Sequence, residues 1–397
     1  MFLVPLLAFI GVFSIWPIAR SFYYTFFDYQ LNDQQKSGLY LNERFNGDLF
    51  IEDCKYLAFY LKDDKTLADA SLQPKFDDLI NKAQAEEAKY ADRTGVTVLS
   101  GNEASDLDNF LNDAAAAKQS LYSQANGAAF THSDDLDSIL AELRTVIIPS
   151  NFIGLQGYAA LIRDARVYET LGHTVVFTVI SVFLEFIFGM ALALVMNQAV
   201  RGIGLIRTTG IIPWAIPTAV SALIWTYMYD GSSGIIAYLL SVIHVIPSPE
   251  TLLLTGAGAM ASAIGADVWK TTPYMALLLL AGLQTIDPSI YESVQIDGAG
   301  RVRTFTGITL PLIKSSILVA LLFRTLDAFR VFDLIYVLTG GGPGGTTETL
   351  SIYAYKLMFA QSNFGYGSVV VLFMFVCVAI IATIFVKVLG TDLMSRG

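Results

Sequence analysis

The sequence predicts an all-α membrane protein in which six spanning helices form a core and a mostly helical extracytoplasmic domain follows the first helix. Composition is the first observation behind this prediction. Of 397 residues, 54% are hydrophobic and only 15% are charged, whereas a soluble domain usually has about 25% charged residues. The second observation is an uneven distribution of charge, because 28–150 contains 22 of the 35 acidic residues. Such an acidic segment also argues against nucleic-acid binding, which needs a basic surface.

Six segments are long and apolar enough to cross a membrane, which takes about 20 residues of helix. They are 2–26, 170–197, 204–229, 259–284, 309–338 and 363–389. The first segment lacks a basic start and a small-residue cleavage site, and it ends in an aromatic cluster typical of a membrane interface. We therefore interpret it as a spanning helix and not as a signal peptide.

Positive charge in short loops predicts the orientation of these helices, because such loops stay in the cytoplasm. Arg201 and Arg207 follow the second predicted helix, and Arg301 and Arg303 lie between the fourth and the fifth. The loop 230–258 contains neither lysine nor arginine. Both termini are therefore predicted to lie in the cytoplasm.

The polar segment after the first helix is too long for a simple loop and is predicted to be a domain of its own. Apolar residues recur in it at helical spacing, and the stretches expected to be helical are 65–92, 103–124 and 134–147. A disordered insert is the alternative. The predicted domains are 1–28 for the first spanning helix, 29–167 for the extracytoplasmic domain and its linker, and 168–397 for a five-helix core.

The loop between the fourth and fifth predicted spanning helices carries the signals of two short helices. Asp287 before Pro288 is an N-cap followed by proline at the first helical position. That helix should end near Ile296, because Asp297 and Gly298 break it, and a second short helix should follow. Two short helices in a cytoplasmic loop make a rigid surface suited to docking on a partner.

The loop 287–311 resembles the EAA loop of ABC importer permeases, which reads E-A-A, three residues, G, nine residues, I-x-L-P. The matching positions are Glu292, Gly298, Ile308, Leu310 and Pro311. Ser293 and Val294 replace the two alanines. The resemblance implies that these seven residues, together with Asp297, couple the chain to an ATPase subunit.

Other segments resemble sugar permeases of the same class. The segment 151–158 is similar to the box that precedes their second helix, and 211–217 and 338–343 also match their patterns. The segments 268–273 and 323–330 are similar to actinobacterial permeases for trehalose and maltose. The long insert has the position of the periplasmic domain in the large maltose-permease subunit.

This resemblance implies a type I ABC importer that moves a sugar, such as trehalose or maltose, across the bacterial cytoplasmic membrane by alternating access. The implied partners are a second permease, two copies of a cytoplasmic ATPase, an extracytoplasmic sugar-binding lipoprotein and membrane lipid. ATP and Mg²⁺ would bind to the ATPase, and this chain is expected to hold no cofactor and no metal and to perform no catalysis. The alternatives are an ion-coupled secondary sugar transporter and a non-transporting receptor.

Charged residues inside two predicted spanning helices suggest a substrate site, because such residues usually face the interior of a helix bundle. The segment 259–284 contains Asp267 and Lys270. A stripe of four charged residues, spaced by three on 309–338, comprises Arg324, Asp327, Arg330 and Asp333. The structural alternative is that Arg324 pairs with Asp327, and Arg330 with Asp333, only to hold the bundle together. Glu185, in the middle of 170–197, is expected to be buried and paired.

Alignment with the large maltose-permease subunit implies sugar contacts at six positions of this chain. They are Asp267, Lys270, Thr271, Tyr274, Phe329 and Arg330. The charged stripe adds Asp327. Carboxylate and guanidinium groups would bind the hydroxyls of a sugar, and an aromatic ring would pack against its apolar face.

Overall fold

The computed structural model is mostly helical, and the chain divides into two compact units. The residues that the structure describes are 3–124, 130–198 and 202–394. The two units are 1–157 with 362–365, and 158–361 with 366–397. Arg201, which entered the prediction of orientation, lies outside the described residues. The orientation and the domain boundaries stay predictions.

The first unit consists of helices and one small sheet. Its helices are α1 Leu3–Ile10, α2 Trp16–Tyr24, α3 Gly47–Leu67, α4 Gln73–Lys89, α5 Gly101–Ser123 and α6 Ser133–Leu143, and a π-helical turn, Gly11–Ile15, joins the first two. Its strands are β1 Arg44–Asn46, β2 Val96–Val98 and β3 Ile147–Ile148, which form an antiparallel sheet in the order β2-β1-β3. The mostly helical character of the insert therefore agrees with the prediction, whereas the sheet was not predicted.

Local capping and a shared apolar core explain the fold of the inserted segment. The Asn46 side chain accepts a hydrogen bond from the backbone N–H of Leu49 and caps α3. A capping box between Ser100 and Glu103 starts α5. The helices α3 to α6 bury a common core, which includes Phe50, Leu57, Leu61, Phe76, Leu107 and Leu136. The described part of the segment thus forms helices around a shared apolar core, which the disordered alternative does not predict.

Asn151 ties together the chain segments that enter and leave this domain. Its side-chain amide donates to the backbone carbonyls of Asp28 at 3.1 Å and Gly38 at 2.8 Å. Its side-chain carbonyl accepts from the backbone N–H of Tyr40 at 2.9 Å. Because Arg44 of β1 also pairs with Ile148 of β3, the chain enters and leaves the domain on neighbouring strands.

The second unit is helical in its described part. Its helices are α7 Gln156–Arg163, α8 Ala165–Met196, α9 Ile203–Ala215, α10 Thr218–Met228, α11 Ile235–Val242, α12 Thr251–Leu254, α13 Gly256–Leu283, α14 Pro288–Ile296, α15 Arg301–Thr304, α16 Leu310–Leu312, α17 Lys314–Phe329, α18 Asp333–Leu338, α19 Leu350–Tyr355 and α20 Phe364–Met394. The helix α13 packs along α8 and against α17 and α9. These three contacts place α13, which carries Asp267 and Lys270, at the centre of the unit.

By length and composition, three described helices qualify as membrane spans. They are Val4–Tyr24, Ala165–Met196 and Phe364–Val388. Two bent pairs bring the count to five if each pair is one span: α9 with α10, bent by 88°, and Arg301–Leu312 with α17, bent by 71°. The predicted span 259–284 corresponds to α13, whose 28 residues extend over about 42 Å at 1.5 Å per residue. Because of its polar residues, α13 is less apolar than the helices named above and does not qualify as a span by composition. Six spans therefore remain a prediction.

The charged stripe on 309–338 is interrupted in the structure. The helix α17 ends at Phe329, and α18 begins at Asp333. Arg324 and Asp327 therefore lie on one helix, whereas Arg330 lies in the break. Of the two pairings in the structural alternative, Arg324 pairs with Asp327 at 3.0 Å. The pairing of Arg330 with Asp333 is not among the ion pairs of the described residues.

Candidate functional site

A polar cavity of about 290 Å³ lies in the second unit among α9, α10, α13, α17 and the start of α18. Five of the seven predicted substrate residues line it: Asp267, Lys270, Thr271, Asp327 and Arg330. Its other lining residues include Trp214, Thr218, Arg324 and Asp333. The volume is close to the lower end of the range for small-molecule sites, roughly 300–1,000 Å³.

Arg324 is the centre of the polar network beside this cavity. Its guanidinium donates to both carboxylate oxygens of Glu185 on α8, at 2.5 and 2.8 Å. It also donates to Asp267 on α13 and, at 3.0 Å, to Asp327 on its own helix. The side chain is only 1% exposed. Three helices are thus connected through one buried guanidinium, and loss of one partner from such a buried pair typically costs about 3–5 kcal/mol.

Glu185 is buried and paired, as the sequence analysis expected, but its partners lie far away in the sequence. Its side chain is fully buried. Besides Arg324, it accepts a hydrogen bond from the Thr271 hydroxyl at 2.6 Å. Because Thr271 also lines the cavity, Glu185 contacts two residues of the cavity wall from behind.

Asp327, Arg330 and Asp333 are the exposed charged residues that line this cavity, and the largely buried Lys270 lines it as well. The Asp327 side chain is 64% exposed although it bonds to Arg324. Among the described residues, the ion pairs found include neither Lys270 nor Arg330, and Arg330 uses its Nε to donate to the backbone carbonyl of Leu326. Asp333 also lines the cavity and is exposed, so the cavity offers two carboxylate acceptors, Asp327 and Asp333, and two cationic donors to a polyhydroxylated molecule.

The two predicted aromatic contacts occupy different places. Tyr274 stacks on Trp214, with ring centroids 5.7 Å apart, and Trp214 lines the cavity. Phe329 does not line it, because its ring is 3% exposed and packs in a separate apolar cluster with Leu350 and Tyr353. Phe329, the last residue of α17, thus packs in this apolar cluster, whereas Asp327, two residues earlier, lines the cavity. In this conformation Phe329 does not face the cavity.

The predicted coupling loop consists of two short helical segments separated by a tight turn. Asp287 caps α14 by accepting from the backbone N–H of Ser289 at 2.9 Å, which lowers the pKa of its carboxyl. Gly298 has φ +73°, a conformation that favours glycine. The loop also exposes apolar side chains, since Ile296 is 87% and Val302 is 77% exposed. This arrangement fits a docking surface.

The remaining predicted coupling residues lie along the same loop. Glu292, Ser293 and Asp297 are exposed, and Val294 is half-buried. Farther along the chain, Ile308 lies in a π-helical segment, Phe305–Thr309, and Leu310 and Pro311 lie in α16. The hydroxyl of Tyr291 and that of Thr309, 3.2 Å apart, join the two segments. Groups of three or more residues able to hold a metal ion are not found in the described ranges.

Comparison with known proteins identifies the family. The family described as "Binding-protein-dependent transport system inner membrane component" matches residues 185–394. A trehalose/maltose transport system permease protein of Thermococcus litoralis is 43% identical over 62% of this chain and 82% of its own length. A trehalose transport system permease protein of Mycobacterium tuberculosis is 44% identical over 60% of this chain and 75% of its own length.

Another relative is named for a different substrate, and a solved structure has a similar fold. A sulfoquinovosyl glycerol transport system permease protein of Agrobacterium fabrum is 36% identical over 62% of this chain and 79% of its own length. The crystal structure of a bacterial ABC transporter for the acidic polysaccharide alginate has a similar fold, with a TM-score of 0.55 and 23% identity over 60% of this chain and 84% of that chain. This chain therefore belongs to the binding-protein-dependent transport system inner membrane component family, as a multi-pass permease of an ABC importer and not an enzyme.

Proposed function

We propose that this chain is the permease through which an ATP-driven importer moves a sugar, a disaccharide such as trehalose or maltose, across the bacterial cytoplasmic membrane. The observation that carries the proposal is the polar cavity in the family-matched unit, where Asp267, Lys270 and Asp327 come together. Two relatives above 40% identity are named for trehalose or for trehalose and maltose. Buried polar groups of this kind mark a substrate path in a membrane protein.

The cavity suits a neutral sugar because its charges are of both signs. Asp327 accepts hydrogen bonds from hydroxyl groups, whereas Lys270 and Arg330 donate to hydroxyl or ring oxygens. Hydrogen bonds with a charged partner are worth roughly 1.5–3 kcal/mol each when buried. The indole ring of Trp214 offers an apolar face for the C–H groups of the sugar ring. Tyr274 stacks on that indole and belongs to the proposed site in this indirect sense.

The coupling part of the proposal concerns the loop 287–311. Two copies of a cytoplasmic ATPase would bind ATP and Mg²⁺, and one of them would dock on the exposed apolar residues of this loop. A second permease would complete the pathway, and an extracytoplasmic sugar-binding lipoprotein would deliver the sugar. Both termini would then be cytoplasmic, and 29–167 would lie outside. Closure of the ATPases would move the loop and switch the cavity between its two openings.

Uptake by the reconstituted complex tests this function. The chain is co-expressed with its partner subunits, purified, and placed in liposomes with the binding protein and radiolabelled trehalose or maltose. We expect uptake that requires ATP and Mg²⁺ on the ATPase side and that persists when ionophores collapse proton and sodium gradients. Uptake without ATP that the ionophores abolish would instead support the ion-coupled secondary transporter.

A further inference from the structure

We propose that Glu185 is a positioning residue for the substrate cavity, acting through Arg324 and Thr271 without touching the substrate. The inference rests on the proposed function of the cavity. It starts from the placement of Glu185 on α8, which contributes no lining residue to the cavity, whereas both of its partners do. Because Glu185 contacts lining residues but does not line the cavity itself, it can affect a ligand only through Arg324 and Thr271.

Glu185 fixes the direction in which the Arg324 guanidinium points. The two hydrogen bonds from Nε and Nη2 to the two oxygens of Glu185 form a bidentate pair, which defines the plane of the guanidinium as well as its position. In that plane the remaining donors reach Asp267 and Asp327. Without Glu185, the Arg324 guanidinium would have only Asp267 and Asp327 as carboxylate partners, and its orientation would no longer be fixed.

Thr271 is held by the same carboxylate. Its hydroxyl donates to Glu185 at 2.6 Å, in competition with the carbonyl of Asp267 one turn earlier on α13, also at 2.6 Å. Glu185 thus helps to fix the rotamer of Thr271. Because Glu185 itself is fully buried, the effect of losing it reaches the cavity through Arg324 and Thr271.

The sequence offers a matched control for this role. Glu348 is 2% exposed and forms a comparable bidentate pair with an arginine, Arg166, at 2.8 and 2.9 Å. Neither residue of that pair lines the cavity. Glu348 also pairs with Lys356 at 2.9 Å, so Glu348→Gln removes a buried carboxylate with two basic partners and measures the cost of losing such a charge away from the cavity. A difference between the two variants in transport isolates the positioning effect.

The test measures trehalose uptake by the full complex in liposomes for the wild type, Glu185→Gln, Glu185→Asp, Arg324→Gln, Glu348→Gln and the double variant Glu185→Gln with Arg324→Gln. Rates are normalised to folded complex, and the amount of loaded binding protein that gives half-maximal uptake is recorded. We expect Glu185→Gln to lower the maximal rate about tenfold with unchanged half-saturation, and Glu348→Gln to stay within about twofold. In the Arg324→Gln background, Glu185→Gln should lower the maximal rate by less than about a further twofold. Once Arg324 is absent, Glu185 can no longer act on the cavity through it.

Three results overturn the inference. The first is a maximal rate for Glu185→Gln within about twofold of the wild type. The second is an equal loss of rate in Glu348→Gln. The third is a full additional tenfold loss in the Arg324→Gln background. Should Glu185→Gln fail to assemble, Glu185→Asp keeps the charge but shortens the side chain, and it should lower the rate in the same way. Uptake by the wild type together with unchanged uptake by these variants would contradict the positioning role while leaving the proposed function intact.

Discussion

At the scale of single residues, the most informative feature is that one guanidinium serves three carboxylates. Arg324 holds the buried Glu185 and Asp267, and the exposed Asp327. The spacing of charges predicted the contact with Asp327, which lies three residues away on the same helix. It could not predict the contact with Glu185, 139 residues away in the sequence, because periodicity describes a face of one helix and says nothing about the helix that packs on it.

Replacing Asp327 by Asn tests direct binding of the substrate. The variant keeps the shape of the side chain and removes its charge, so a hydroxyl of the sugar would lose a charge-assisted hydrogen bond. We expect sugar uptake by the complex to fall about tenfold, since about 1.4 kcal/mol corresponds to a factor of ten, at a normal amount of protein in the membrane. Asp230→Asn, in a loop where Asp230 bonds to Ser232 and Ser233, is the matched control. Loss of the protein itself, restored by adding Arg324→Gln, would indicate a structural lattice and would rule out sugar binding by Asp327.

A second residue-scale prediction concerns stability and Asp53 in the core of the inserted domain. Asp53 is 4% exposed, and its Oδ2 atom has no hydrogen-bond partner among the described residues. Burial, with the nearby charges of Glu142 and Glu52, raises the pKa of its carboxyl to about 7. The folded state therefore binds a proton that the unfolded state has already lost above a pH of about 4. Stability from this group is present at low pH and decreases as the pH rises through about 7.

Asp53→Asn should remove this dependence. We expect the unfolding temperature of the purified full chain to rise at pH 8, with little change at pH 4, as measured by thermal unfolding of the detergent-solubilised protein. Glu52→Gln neutralises an exposed neighbour and should have a smaller effect. An Asp53→Asn variant that is less stable than the wild type at pH 8 would show that the carboxylate is stabilised there in its charged form.

At the scale of secondary-structure elements, local signals predicted what depends on the local chain. The Asp287-Pro288 pair predicted the start of α14, and Asp297-Gly298 predicted its end, both as observed. The break after Phe329 was missed, because neither glycine nor proline marks it. The three strands were missed because, at three, three and two residues, they are too short to show alternation. Tertiary contacts determine both the break after Phe329 and the three strands. Such contacts cannot be predicted from the local pattern of a single sequence.

The turn at Gly298 provides the prediction that belongs to this scale. Space is not the constraint, since a Cβ atom there would meet nothing within 4 Å, but its φ of +73° is unfavourable for any residue with a side chain. The strain amounts to about 1–2 kcal/mol, so Gly298→Ala should shift the loop away from this conformation and lower ATPase activity stimulated by the loaded binding protein by about 5- to 30-fold. Gly307→Ala is the control, because Gly307 has equally open space and an ordinary φ. Equal stimulation in both variants would refute a requirement for this turn in coupling.

At the scale of the whole molecule, the inserted domain and the family-matched unit are separable in the chain. The matched region is 185–394, whereas the helices α3 to α6 and their shared core lie between the paired strands β1 and β3. Replacing 45–147 by a two-residue turn would join Arg44 to Ile148, which are already opposite each other in the sheet, and would preserve the Asn151 hydrogen bonds. We expect this deletion variant to reach the membrane and assemble, and to dock the binding protein more weakly.

Affinity of the complex for the loaded binding protein, measured by surface binding in nanodiscs, checks the role of the domain. Stable docking of two proteins requires a large buried surface area. If the inserted domain contributes to that interface, its removal should raise the dissociation constant by at least about tenfold. An unchanged dissociation constant, with unchanged uptake, would refute the docking role and leave the domain as a stabilising element.

The most direct test of the central claim is an electron cryomicroscopy structure of the complete complex, loaded with trehalose and trapped with an inactive ATPase. We expect sugar density in the cavity lined by Asp267, Lys270 and Asp327, with hydroxyl oxygens about 2.7–3.2 Å from the Asp327 carboxylate or the Lys270 ammonium, and with Arg324 still bonded to Glu185. Sugar density located only against the partner permease, with this cavity empty, would contradict the account.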